Sequence, residues 1–190
     1  MKFKKKVIIV IVVFFWLLCF FYLKKEFSNK IPVANKNSVS VNEYQLMWPG
    51  ILPDNKLYKV KLIRDKVMSY FIFSPTKKIE YKLLLADKTI YASKLLLDKG
   101  DIYDGQITAA KGENYMSQLV YDYIAVSKSN ERIPSDLTHR IQLASLKHQQ
   151  LLDEMIKKVN PQDRKILVDV KYFSKTNYET IVALNNKKIN

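Results

Sequence analysis

The sequence predicts an all-α fold: an N-terminal transmembrane helix followed by an exterior helical bundle that contains an antiparallel helical hairpin. Three observations predict it. Apolar residues recur at alternating steps of three and four through several long stretches. Glycine, proline and capping residues fall between those stretches. No strand-type alternation of useful length appears.

The first element is a basic tail, residues 1–6, with Lys2, Lys4, Lys5 and Lys6. An unbroken apolar run follows from Val7 to Leu23, closed by Lys24 and Lys25. At a helical rise of about 1.5 Å per residue it spans roughly 25 Å, the short end for a hydrocarbon core, and flanking lysines can snorkel to make up the difference. A cleaved signal peptide is the competing reading, but bulky or charged residues stand where a small-x-small cleavage site belongs. Cys19 follows Leu18 and the run continues past it, so a lipid-attachment cysteine is disfavoured against an inert, membrane-buried one. Four lysines precede the run, while Lys24, Lys25 and Lys30 follow it beside Glu26. The expected orientation is N-terminus cytoplasmic, bulk of the chain extracytoplasmic, in the cell membrane.

Residues 24–43 read as a tether, polar and without helical period. Residues 44–56 carry turn dipeptides at Pro49-Gly50 and Pro53-Asp54 among Tyr44, Leu46, Trp48, Ile51 and Leu52, an irregular segment that packs on something. Leu57, Val60, Val67 and Phe71 then recur at helical spacing, widened by Leu62, Ile63 and Tyr70. Ser74-Pro75 is an N-cap followed by proline at the first helical position. Ile79, Leu83, Ala86, Ile90, Ser93 and Leu97 mark the next helix, which Gly100 ends. Asp101 caps a third helix along Gly105, Ala109, Gly112, Met116, Leu119, Tyr123 and Val126. Glycine inside a helix costs about 1 kcal/mol against alanine, so Gly105 and Gly112 predict close approach of a neighbour. Helices over 75–99 and 102–127 are expected to form the hairpin.

Residues 128–190 are expected to complete the bundle. Leu137, Ile141, Ala144, His148, Leu151, Met155 and Val159 mark an amphipathic helix that Asn160-Pro161 stops. One or two short helices are expected after 161, with a capping box over Thr176–Glu179.

Composition excludes several function classes. The 190 residues hold 32 Lys+Arg against 18 Asp+Glu, a formal net charge of +14. Six of those basic residues bracket the apolar run, leaving an excess of eight elsewhere. One cysteine excludes an internal disulfide framework and any multi-thiolate metal site. Four glycines form no phosphate-cradling motif, and no zinc-hydrolase or serine-elbow motif is present. No cofactor, metal site or catalytic residue is assigned.

Residues Trp48 to Ser93 carry a signature: Pro49, Gly50, Leu52, Pro53, Asp54, Leu57 and Tyr58; Arg64, Asp65 and Lys66; Phe73, Pro75, Lys77, Lys78 and Glu80; Leu85, Ala86, Asp87 and Lys88. It resembles a family of bacterial domains of unknown function that are attached to the membrane or exported. The likeness covers about residues 44–127. Trp48 stands where tyrosine is usual, and Thr89 where arginine is usual. The resemblance implies a helical, membrane-associated bacterial domain and supplies no activity.

Two groups of residues are candidate sites. Tyr44, Trp48, Pro49 and Pro53 form either an aromatic docking surface or a lid folded over the helices. Arg64, Asp65, Lys66, Glu80, Asp87 and Lys88 form either a ligand-binding polar cluster or ion pairs that dock the first helix. His139 and His148 lie about 180° apart on one helix and cannot share a metal there. His148 sits on the apolar stripe and reads as a hydrogen-bonded core histidine.

The expected function is a single-pass, membrane-anchored domain for protein or cell-envelope interaction. The alternative is a receptor for an anionic envelope polymer or nucleic acid, although lysines interleaved with acids disfavour a nucleic-acid stripe. An enzyme is the least favoured class.

Overall fold

The computed structural model describes residues 40–189 apart from 42 and 130, with side chains as far as Asn186. The basic tail, the apolar run over 7–23 and most of the tether lie outside the described residues. Among the described residues all regular structure is helical: α1 Tyr58–Tyr70, α2 Pro75–Asp98, α3 Ile102–Lys128, α4 Ser135–Lys158 and α5 Lys165–Ile189, with a 3₁₀ turn at Pro161–Asp163. Among them, no helix is long and apolar enough to cross a membrane.

Local chemistry sets the boundaries. The Ser74 hydroxyl accepts the Lys77 amide at the start of α2, with Pro75 at the first position. Gly100, at φ +87°, ends α2 in a Schellman turn: its amide bonds Leu97 O, and the Asp101 amide bonds Leu96 O. The Asp101 carboxylate then accepts the Asp104 amide and starts α3. One three-residue connection thus closes one helix and opens the next.

The close approach expected from the helical glycines is present. A Cβ on Gly105 would lie 2.7 Å from Leu97 Cγ, and one on Gly112 would lie 2.8 Å from Ile90 Cγ1 and 3.0 Å from the Ile90 backbone N. Position 97 faces 105 and position 90 faces 112, so α2 and α3 are antiparallel. Around the bundle, α2 packs on α3, α3 on α5, α5 on α4 and α4 on α2. Two antiparallel hairpins thus lie side by side. Apolar side chains fill the space in two clusters, one around Ile79, Leu83, Met116, Leu119, Tyr123 and Ile141, the other around Ile90, Leu97, Leu152, Met155 and Leu167. Each fully buried Leu, Ile or Met in them contributes on the order of 2 kcal/mol.

The end of the chain departs from expectation. One 25-residue helix replaces the short pieces expected after 161, and Thr176 caps nothing. Its hydroxyl donates back to Tyr172 O within the helix, and Lys175 pairs with Glu179 along the surface. The buried stripe is continuous through Leu167, Val170, Ser174, Asn177 and Ile181. Ser174 and Asn177 occupy stripe positions, and their polarity hides the period from a hydropathy reading.

The lead segment folds along α2 as an extended strap. The Tyr44 hydroxyl donates to Asp87, Trp48 stacks edge-on against Tyr91, and Asp54 pairs with Lys99. Each step along the strap meets a residue one or two turns further along α2. Then α1 turns back, pinned where Lys61 Nζ donates to the carbonyls of Pro49 and Ile51.

Candidate functional site

Two features stand out from ordinary helix packing: a buried polar chain inside the bundle, and the outer surface of α1.

The polar chain centres on His148, fully buried on α4. Its Nδ1 lies 2.8 Å from Glu113 Oε1 on α3, and its Nε2 lies 3.0 Å from Asp87 Oδ1 on α2. Asp87 Oδ2 accepts the Tyr44 hydroxyl at 2.7 Å. Glu113 Oε2 accepts Asn177 Nδ2 of α5, which also bonds Ser117 Oγ. The chain therefore ties the strap and all four bundle helices together. A neutral imidazole has one donor, whereas both ring nitrogens here face carboxylates. Only the imidazolium satisfies both. Burial works against that charge, but the hydrogen bonds that the ring donates to Asp87 and Glu113 override it and push His148 up to about 9. Burial raises the Tyr44 hydroxyl well above its ordinary value, and the Asp87 carboxylate adds to the effect.

Chemically, this cluster is a structural clasp. Both imidazole nitrogens are occupied by protons shared with carboxylates, so neither presents a lone pair to a metal or a substrate. Among the described residues no group of three or more His, Cys, Asp or Glu side chains is placed to hold a metal ion. Sequence reasoning placed His148 in the core but missed its partners. The available signal was the acids: Asp87 follows Ala86 on the packed face of α2, and Glu113 follows Gly112 on the small-residue face of α3.

The expected polar cluster is divided. Asp87 belongs to the buried chain. Asp65 is the one buried residue of α1, paired with Arg64 at 2.6 Å, while its backbone carbonyl accepts the Tyr81 hydroxyl. Glu80 pairs with Lys77 at the surface, Lys66 is exposed on α1, and Lys88 lines a cleft. That cleft, about 160 Å³, lies between α1 and the α2–α3 hairpin, with Tyr58, Lys61, Asp65, Lys111 and Tyr115 among its walls. Burial lowers Lys61, whose ammonium is already held by two carbonyls. Adjacent helix positions point about 100° apart, which is why Asp87 and Lys88 serve different places.

The aromatic group is divided as well. Tyr44 is tucked into the interior and Pro49 is buried. Pro53 is half-buried, and Trp48 is exposed apart from its edge contact with Tyr91.

The second feature is the outer surface of α1. Most of the large apolar residues of α1 do not pack on the bundle, although Leu62 faces the cleft and Val67 and Met68 are half-buried. Val60 is 62% exposed and Ile63 65%, and Leu57, Tyr70 and Phe71 are exposed with them. At 100° per residue, Val60, Ile63, Val67, Tyr70 and Phe71 fall within one arc of about 100°. Tyr58, Lys61, Leu62 and Asp65 lie on the opposite side and face the cleft. The inward face is fixed by polar bonds, from Lys61 to the strap and from Tyr81 to the Asp65 carbonyl, and these turn the apolar stripe outward.

Neither a family model, nor a curated protein, nor a solved structure matches this chain.

Proposed function

We propose that this chain is a single-pass membrane protein of the bacterial cell envelope whose helical domain works as a docking module, with the outward face of α1 as its docking surface. The observation that carries the reading is the exposed apolar stripe from Val60 to Phe71. Soluble surfaces seldom present a contiguous stripe of large apolar side chains unless something covers it. The apolar run at 7–23, bracketed by lysines, supports an anchor at that end, and the resemblance of residues 44–127 to membrane-associated domains supports the same placement. A receptor for an anionic polymer finds less support. The lysines of the cleft share it with Asp65, and Lys61 is engaged by backbone carbonyls.

Site-specific photocrosslinking in the native cell tests the docking surface. A photoreactive residue at Ile63 is expected to give an adduct, while one at exposed Lys157 on α4 gives none. Equal, background-level reaction at both positions would refute the reading. Carbonate extraction tests the anchor: the chain is expected to stay with the membrane, and deletion of residues 7–23 to release it.

A further inference from the structure

We infer that the surface covered by α1 is an anionic phospholipid bilayer, with Val60, Ile63, Val67 and Tyr70 at the acyl boundary and basic side chains on the headgroups. The inference rests on the docking reading above and names its partner. Charge is the first argument. Over residues 56–70 the chain carries Lys56, Lys59, Lys61, Arg64 and Lys66 against a single acid, Asp65, with Lys61 turned inward to the strap carbonyls. That acid is turned inward and paired with Arg64, so it does not oppose an anionic surface. By helical position, Lys59 and Lys66 border one edge of the apolar arc, and Arg64, half-exposed while paired with Asp65, borders the other. An apolar stripe rimmed by cations on both edges is the pattern of helices that lie in a lipid interface, where buried apolar area and attraction to anionic headgroups act together.

The aromatic end of the helix agrees. Tyr70, Phe71 and Phe73 are 69%, 50% and 82% exposed, and aromatic rings favour the headgroup level. Chain length agrees as well. Residues 26–39, between Lys25 and the first described residue, reach about 50 Å at full extension. A span at 7–23 therefore keeps a bilayer within that radius of the domain, which raises the effective concentration of lipid at α1.

The test uses the full chain with Cys19→Ser and one introduced cysteine, Ile63→Cys or Lys157→Cys, labelled with an environment-sensitive fluorophore. Each is reconstituted into phosphatidylcholine vesicles, with and without phosphatidylglycerol, that carry a spin-labelled quencher lipid. Flotation of the vesicles is read in parallel. The inference predicts that the label at position 63 is quenched at least about threefold more than the label at 157 in anionic vesicles, and that salt near 1 M weakens the difference. In the variant Val60→Glu with Ile63→Glu, a label placed by Tyr70→Cys loses its quenching while the chain still floats. Three results overturn the inference. Equal quenching at 63 and 157 in floating vesicles removes the lipid assignment and leaves the anchored docking reading standing. Quenching that ignores phosphatidylglycerol removes the anionic assignment. A chain that does not float removes both.

Discussion

The buried His148 clasp predicts a stability that falls in mildly alkaline solution. The folded imidazolium titrates at about 9, against 6.5 for an ordinary histidine. A group whose folded value is raised stabilises the fold fully below the unfolded value, and that contribution is lost as pH rises through the folded value. A rise from 6.5 to about 9 is worth about 3 kcal/mol at 1.36 kcal/mol per pH unit. Linkage leaves most of it at pH 7, less than half at pH 8 and little at pH 9. For a domain of this size, 3 kcal/mol corresponds to a Tm shift on the order of 10 °C. The assay is thermal unfolding of the detergent-solubilised chain, followed by far-UV circular dichroism from pH 6 to 9.5. Tm is expected to fall across that window, most steeply between pH 7 and 9. His148→Gln should flatten the profile while lowering Tm at pH 6.5, because it leaves two buried carboxylates without their cation; breaking such a pair costs about 3–5 kcal/mol. A wild-type profile that stays flat from pH 6.5 to 9, or a variant that keeps the wild-type slope, would refute the clasp.

Other consequences follow from the same geometry. Tyr44→Phe removes the hydroxyl that Asp87 accepts, so it should destabilise the domain by about 1–3 kcal/mol in denaturant titrations and loosen the strap in hydrogen exchange. Gly112→Leu forces a branched side chain against Ile90, where even a Cβ meets a backbone nitrogen at 3.0 Å; it should cost several kcal/mol or prevent folding, whereas Gly100→Ala should cost about 1 kcal/mol through its positive φ alone. Asp98 accepts hydrogen bonds from Lys158 and Lys94, which hold its carboxyl below the usual range. Its contribution is present above the ordinary carboxylate value and lost as pH falls through the lowered one. The group is largely solvated, so Asp98→Asn should shift Tm little, while an NMR titration of the wild type places Asp98 below the ordinary carboxylate value. The double variant Val60→Glu with Ile63→Glu should leave stability within about 0.5 kcal/mol, because both positions are exposed, and abolish crosslinking from α1.

Much of the fold was legible because several signals coincide. Ser74-Pro75, Gly100-Asp101 and Asn160-Pro161 punctuate the chain where helices start or stop, and Gly105 and Gly112 mark the tight α2–α3 contact. The last helix was legible only in part, because Ser174 and Asn177 sit on its buried stripe as hydrogen-bonding residues. Periodicity locates an apolar face but does not say which way it points. On α1 the spacing marks an apolar stripe without a direction, and the structure buries Asp65 and the polar edge, because Lys61 and the Asp65 carbonyl find partners inward. The candidate sites failed to group for a related reason. Neighbours in sequence such as Asp87 and Lys88 diverge around a helix, while the partners of His148 come from residues 35 and 61 positions away. No short-range pattern encodes such a set.

Docking requires α1 to present its apolar face to a partner. A nitroxide scan over residues 58–71 of the full chain, in native-like membranes, tests this most directly. Solvent accessibility should vary with a period of 3.6 residues, and membranes should add protection at Val60, Ile63, Val67 and Tyr70. An outer face as accessible with membranes as without them would show that α1 does not dock there.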